Sequence, residues 1–358
     1  MRVLWLSPWL RGTARMYAES LQELGVDVML LTSRLHPESG TSGDCLRPDP
    51  PREYETELLG RPVPNADWRP LLRAYRAAAR FQPDIVVTEM LRDPRWRIFA
   101  RLGPRVRMVH DDKPHDPTHE PPWWNRLFFE RWDPGADATV VFSAYAAKSL
   151  RAAGSARSPL YVAPLVSDLD SSLVPAFVEA RSRRNFMLIG RQRPYKNHDV
   201  VFAAWDAHTG GPAWAGDELV LFGAGDIAPP LPRYTRWHRG SYRYSRVVAE
   251  LSASKGSIVH CRTASQSGVQ VLSMQLGVPT LVSAAGALPE YQPPGLSITG
   301  IDDVEGLAQG FDALADPIEV EVQAKAALEH HRTNYSPIVA ARRLSEIFDD
   351  VIRHTHGR

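Results

Sequence analysis

The chain has 358 residues, enough for two medium domains that each bury a core. Its formal net charge is +1, which excludes bulk electrostatic attraction to nucleic acid. Cys45 and Cys261, its two cysteines, sit far apart and in no metal or redox spacing, and no apolar run is long enough to span a bilayer. Met1-Arg2 runs straight into an apolar strand, so no signal peptide is expected and the chain reads as cytoplasmic with free thiols.

In chain order, residues 3–6 predict a strand and 7–12 a turn. Ala14, Tyr17, Ala18, Leu21 and Leu24 then fall at helical spacing, closed by Gly25. Residues 26–31 are the next strand. This β-α-β start suits a nucleotide-binding α/β fold, but without G-x-G-x-x-G it carries no dinucleotide fingerprint. Residues 36–65, rich in Pro, Gly, Asp and Arg, read as one long loop. A helix with Trp68, Leu71, Leu72, Tyr75 and Phe81 follows, then strands at 84–88 and 106–109.

The second of these strands ends in His110, Asp111 and Asp112, with His115, Asp116, His119 and Glu120 beyond. Prolines interrupt the run and no metal spacing matches, so no metal is expected. Two readings stay open for His110. It sits where open α/β sheets bind ligands, at a strand's C-terminal end; or it belongs to a solvated polar loop. The aromatic run 123–132 predicts a core-facing helix with Trp124, Phe128 and Trp132 on one stripe and Phe129 left over. The alternative is a surface that dips into a membrane interface or holds a lipid or aromatic acceptor. A strand at 138–142, a helix capped by Ser143 and a strand at 160–164 end the first domain, and 166–185 reads as a connector.

The second domain opens with a strand at 186–189 that runs into Gly190, Arg191 and, five positions later, Lys196. A glycine admits a ligand close to the backbone, the guanidinium offers a planar fork to phosphate oxygens, and the ammonium a point charge. A basic surface loop is the alternative. Strands are expected at 218–222, ending in Gly223-Ala224-Gly225, and at 234–237, leading to Gly240-Ser241-Tyr242, with Ser245 capping a helix over 246–251. A strand at 257–260 precedes Ala264-Ser265-Gln266-Ser267-Gly268-Val269 and a helix carrying Leu272 and Leu276. Unpaired N–H groups and the helix dipole make such a turn a seat for phosphate. An ordinary helix capped by Ser265 or Ser267 remains the other reading. Residues 286–290 read as a turn with an acidic end. Ser336 as N-cap and Pro337 at the first position open a last helix with Ile338, Ala341, Leu344, Ile347 and Val351 on one face.

The Gly190-Arg191-x4-Lys196 loop, Gly223-Ala224-Gly225, Ser265-Gln266-Ser267-Gly268-Val269, Gly277-Val278-Pro279 and the final helix together resemble the C-terminal half of retaining GT-B glycosyltransferases of the large family four type. The resemblance covers roughly the last half of the chain and is weaker over the first. It implies an α/β protein with two Rossmann-like domains facing across a cleft. Residues 1–168 would be the acceptor domain, 169–335 the donor domain, and 336–358 a helix crossing back to the first. It implies that Arg191 and Lys196, with Gly190, Gln266 and the N–H groups of Ser267, Gly268 and Val269, bind a donor diphosphate. Gly12 would approach the donor phosphate or the acceptor, His110 would contact the donor sugar, and the 240–242 loop would lie near the base. Many members carry a Glu-x7-Glu pair. The corresponding places here hold Ala264 and Leu272, or Ser265 and Ser273, and a Ser-Gln-Ser-Gly-Val subset shares that departure.

The implied activity is hexosyl transfer from a nucleotide-diphosphate sugar to an acceptor hydroxyl with retention, using no metal and no cofactor. His110, Arg191 and Lys196 are its catalytic candidates, and the leaving phosphate takes the acceptor proton. The acceptor is a glycan, a lipid-linked intermediate or a natural product. No nucleic acid partner is expected, and peripheral contact with the inner face of a membrane stays open. The alternatives are a catalytically silent sugar-nucleotide-binding module, which the missing glutamates favour, and a GT-B sugar-nucleotide epimerase; a dehydrogenase is disfavoured for want of a fingerprint.

Overall fold

A computed structural model describes residues 1–33, 50–58, 68–91, 93–112, 128–129, 132–155, 158–227, 230–240, 242 and 244–356. The chain forms two compact units, one of them the described chain up to Asp168 together with the segment from Pro337 onward, the other running from Leu169 to Ser336.

The first unit is built on β1 (Arg2–Leu6), β2 (Asp27–Ser33), β3 (Glu55–Leu58), β4 (Ile85–Glu89), β5 (Arg105–Val109), β6 (Ala138–Val141) and β7 (Leu160–Val162). They lie in the order β3-β2-β1-β4-β5-β6-β7 with every pair parallel. Helices α1 (Arg11–Glu23), α2 (Arg69–Phe81) and α3 (Ala144–Ala152) join the strands. Parallel strands are covered on both faces, so the central ones are apolar throughout rather than alternating; Val3, Leu4, Trp5 and Leu6 are all fully buried. Trp5 stacks on Tyr17 of α1 at 5.5 Å, and Tyr17 on Phe142 at 6.4 Å. The C-terminal helix, Pro337–His356, packs against α1 and buries Ala341, Leu344, Ile347, Phe348 and Val351. Arg343 donates to the Val162 carbonyl and the Tyr161 hydroxyl to Asp350, which ties this helix to the edge strand β7.

The second unit carries β8 (Phe186–Ile189), β9 (Leu219–Gly223), β10 (Thr235–Arg239), β11 (Gly256–Val259), β12 (Thr280–Ser283) and β13 (Ile298–Thr299), in the order β10-β9-β8-β11-β12-β13 and again all parallel. Its helices are α4 (His198–Gly210), α5 (Tyr244–Ser252), α6 (Gly268–Gln275), α7 (Leu288–Tyr291), α8 (Val304–Ala313) and α9 (Pro317–Asn334). Strand alternation divides its core in two. Phe186, Leu188, Leu219 and Leu221 meet Trp205 and Phe311 on one face, while Met187, Ile189, Val220 and Phe222 meet Val247, Leu251 and Leu272 on the other.

Several expectations are corrected. The 36–65 stretch is not all loop, because β3 pairs with β2 within it. Glu55 explains this: its carboxylate is fully buried between Arg11 at 2.7 Å and Arg15 at 2.6 Å, and accepts from the Thr32 hydroxyl at 2.6 Å. The same two arginines, one turn apart, start α1 at Arg11. Ser245 lies inside α5 rather than capping it, since Tyr244 already belongs to the helix's apolar face. Residues 288–291 are a short helix rather than a plain turn. The Ser336 hydroxyl donates to the Arg332 carbonyl at the end of α9. The supposed connector supplies a core residue, as Arg183 is fully buried and donates to the Val178, Ser254 and Gly277 carbonyls. The aromatic stripe is reversed where it is described: Phe129 is buried and packs edge-on to Trp132 at 5.7 Å, whereas Phe128 is exposed. Trp123 and Trp124 lie outside the described residues. Among the described residues, no helix is long and apolar enough to cross a membrane, and the described cysteine, Cys261, is a buried free thiol.

Burial opposes the charge on Glu55, but the Thr32 hydroxyl and the two guanidinium groups outweigh it and hold its carboxyl below the ordinary value. A depressed carboxylate adds stability above its unfolded value, and that stability drains away as pH falls through the folded one. Glu55→Gln is expected to cost about 3–5 kcal/mol, the usual cost of orphaning buried charges. Thermal midpoints measured from pH 7 down to acid will show the gap between variant and wild type narrowing as Glu55 protonates.

Candidate functional site

In the second unit, the C-terminal ends of the two central strands β8 and β11 carry the two turns singled out by sequence. The first begins at Gly190, whose φ of +103° only glycine adopts easily. Opposite it stands Gly223, φ +127°, at the end of β9; a Cβ there would come within 2.0 Å of the Gly190 carbonyl oxygen. A Cβ on Gly225 would meet the Gln192 carbonyl oxygen at 1.9 Å. The backbones cross so closely that both positions must lack side chains. Gln192, fully buried, fills the space beneath, and its side-chain amide donates to the carbonyls of Leu188, Gly190 and Phe222. Its oxygen is then left to accept from His198 Nε2 at 2.9 Å. Burial, then the Lys196 charge, push His198 down to about 4, so the ring stays neutral.

Lys196 is buried with its Nζ donating to the Ile189 carbonyl at 2.7 Å, directly under Gly190. Burial pushes its ammonium below the ordinary lysine value; the neighbouring Cys261 thiol acts against that and Arg191 adds to it. The ammonium has three protons, and one is used by Ile189. Arg191 is exposed beside it.

The second turn leads into α6. Ser267 is the N-cap: its hydroxyl accepts from Gln270 N–H at 3.1 Å. Gly268 is exposed, and a Cβ on it would face open space. The Gln266 side-chain oxygen is enclosed and has no donor among the described residues. Behind this turn, a Cβ on Gly286 would meet the Ala264 carbonyl oxygen at 2.0 Å, and Ala287 N–H donates to that oxygen at 2.9 Å. The two turns are tied together. Arg262 N–H donates to the Tyr195 carbonyl at 2.7 Å, and the Asn197 amide bridges His260 at 3.2 Å and the Ile301 carbonyl at 2.6 Å. The fold thus gathers Gly190, Arg191 and Lys196 with Gln266, Ser267, Gly268 and Val269 at one end of one sheet. Cationic side chains and an unobstructed helix N-terminus there suit an anionic, multiply oxygenated group. Tyr242 rests edge-on to Phe222 at 5.8 Å; Ser241 lies outside the described residues.

Gly12 and His110 belong to the first unit. Gly12 is not in the turn before α1 but in the helix's first turn, because Arg11 and Arg15 anchor that turn to Glu55. His110 directly follows β5, is 8% exposed and lines a cavity of about 150 Å³. Its Nε2 lies 2.6 Å from the Glu89 carboxylate. Sequence reading missed Glu89. The available signal was a lone carboxylate ending the apolar run Ile85-Val86-Val87. Among the described residues, no three of His, Cys, Asp and Glu converge as a metal would need. His115, Asp116, His119 and Glu120 lie outside the described residues.

The two parallel sheets and their helices form the GT-B fold. Sucrose-phosphate synthase from Thermosynechococcus elongatus superposes at a TM-score of 0.70 and 15% identity, covering 99% of this chain and all of that one. HepE from Anabaena, solved with UDP, gives 0.66 and 12%, covering 98% of this chain and all of that one. The UDP-forming α,α-trehalose-phosphate synthase from Burkholderia vietnamiensis gives 0.65 and 11%, covering 99% of this chain and 98% of that one. Residues 13–171, less than half of the chain, match the family model described as Glycosyltransferase Family 4. No curated protein matches the chain in sequence.

Two glycines separate packing from binding. Gly223→Ala must displace the Gly190 backbone and also adopt a disfavoured φ, a strain of about 1–3 kcal/mol from the backbone conformation alone. A lowered thermal midpoint is the expected result. Gly268→Ala meets no atom, and its stability should stay within about 0.5 kcal/mol of wild type.

Proposed function

We propose that the protein is a glycosyltransferase that moves a hexosyl group from a nucleotide-diphosphate sugar to an acceptor hydroxyl, with retention and without a metal. The observation that carries this reading is the second unit's gathered set: buried Lys196 beneath Gly190, exposed Arg191, and the open N-terminus of α6 at Gly268. Departure of the diphosphate builds negative charge on its oxygens. The Lys196 ammonium, the Arg191 fork and the N–H groups of Ser267, Gly268 and Val269 would stabilise that charge in place of a metal ion. The Gln266 oxygen, which has no donor among the described residues, would accept from a donor hydroxyl. For His110 the family resemblance implies a contact with a donor sugar. No separate base is assigned; the leaving phosphate would take the acceptor proton. HepE was solved with UDP, with UDP and glucose, and with UDP-glucose, which makes uridine the first base to test. The family-four match over residues 13–171 supports the same chemistry. The acceptor is a glycan, a lipid-linked intermediate or a natural product.

Thermal melts against nucleotides and nucleotide sugars, with and without EDTA, test this directly. A ligand at a hundred times its Kd stabilises by about 2.7 kcal/mol. One nucleoside diphosphate and its sugar should raise the midpoint whether or not EDTA is present, and Arg191→Ala and Gly268→Ala should weaken that shift while folding normally. No shift from any donor favours the silent module, and a shift that requires metal overturns metal independence. Lys196→Met should lower transfer at least a hundredfold, the usual loss of about 2.7–4 kcal/mol for one oxyanion contact. An anion beside Nζ favours the charged ammonium, so binding takes up a proton where the free lysine is partly neutral. Affinity should therefore fall as pH rises through the lowered lysine value, and calorimetry in two buffers should detect uptake that Lys196→Met abolishes.

A further inference from the structure

In the first unit, Glu89 is fully buried at the end of β4 with both carboxylate oxygens occupied. Trp5 Nε1 donates to Oε2 at 3.1 Å, and His110 Nε2 lies 2.6 Å from Oε1. The Tyr17 hydroxyl is also nearby, and burial and then the Glu89 charge push it well above the ordinary tyrosine value. It is spoken for, donating to the Pro164 carbonyl at 2.9 Å and accepting from Val166 N–H at 3.2 Å. Glu89 therefore faces the Trp5 N–H and the His110 ring, and no hydroxyl. An ionised carboxylate only accepts, so the proton between Glu89 and His110 sits on Nε2. In the neutral imidazole this leaves Nδ1 with a bare lone pair. Among the described residues Nδ1 has no partner, and the ring lines the cavity shared with Thr88, Met90, Arg107 and Trp132. The ring is fixed in place as well, lying 4.5 Å from the Phe142 ring. The chain turns away right after Glu89 through Met90, whose φ of +47° is a conformation a methionine rarely adopts. Strain of this kind collects where surrounding structure must hold a side chain in one place.

We propose that Glu89, braced by Trp5, is a positioning residue that locks His110 as its Nε2–H tautomer and so presents Nδ1 as a hydrogen-bond acceptor to a substrate hydroxyl in the cavity. The hydroxyl class, a sugar OH, rests on the transferase reading; the tautomer does not. Such a ring selects for a donor group: a hydroxyl is accepted, while an ether or a deoxy position leaves the lone pair unpaired.

The test is the long-range nitrogen–proton spectrum of histidine-labelled protein, with His110 assigned by its loss in His110→Gln. A single Nε2–H tautomer for His110 is expected in the wild type. The Nδ1–H form, a mixture, or a ring protonated on both nitrogens overturns the clamp, and the result is read on the wild-type protein. In Glu89→Gln, checked for folding by its melt, the amide can present either group to the ring, and the expected outcome is a mixed tautomer. A tautomer still locked there would show that Glu89 is not the cause. Should donor transfer be measurable, Glu89→Gln is expected to lower kcat about a hundredfold, the cost of a misplaced catalytic contact, with donor KM little changed. A locked tautomer in a protein that binds no nucleotide sugar would sink the transferase reading and leave the clamp standing.

Discussion

At the strand ends of the second unit, pairs of backbones come closer than any side chain permits. A Cβ at Gly223, Gly225 or Gly286 would overlap the carbonyl of Gly190, Gln192 or Ala264. The first two set the loop after β8 against the end of β9, and the third sets the turn before α6 against the segment after β12. Lys196 Nζ lies 3.4 Å from where a Cβ on Gly190 would stand, while Gly223 and the Gln192 amide meet the Gly190 carbonyl. The buried ammonium thus sits beside close backbone approaches that only glycine permits.

Burying that ammonium is unfavourable by itself, since desolvation opposes charge. One carbonyl hydrogen bond to Ile189 offsets the loss in part. Among the described residues Lys196 has no ion-pair partner, and under the proposed function a diphosphate would supply the counter-charge. Under the proposed function, anion binding there carries a pH dependence that an ordinary basic loop lacks. The first unit handles its charges the opposite way. Glu55 is buried against two arginines and a hydroxyl, and Glu89 against the Trp5 N–H and the His110 ring. One of these arrangements holds an edge strand, and the other holds a histidine that faces a cavity.

Runs of apolar residues with the right lengths and punctuation were enough to read the central strands of both sheets and most of their helices. The signals are local: Val3 to Leu6 and Phe186 to Ile189 are apolar on both faces, as strands buried in parallel sheets must be. Gly190, Arg191, Lys196 and the Ser267-Gly268 turn were legible for a related reason, because a helix N-terminus and a glycine after a strand are local geometries. The β3 strand, the start of α1 at Arg11, and the inward turn of Phe129 were not. The first two depend on partners far along the chain, Thr32 and the two arginines for Glu55, whereas Phe129 turns inward against Trp132 three residues on, a contact that the helical stripe did not anticipate.

Composition and pattern by themselves therefore determined an α/β chain of two units, its strand ends, and the residue types that suit a phosphate. Tertiary structure alone decided which of those residues meet. It buried Lys196 and left Arg191 exposed, tied the two turns through Tyr195 and Arg262, and set Glu89 against His110 across β4 and β5. The physical reason is that periodicity reports which way a side chain points relative to its own element, whereas desolvation and ion pairing depend on what stands opposite. In a parallel sheet that neighbour always arrives from a distant part of the chain.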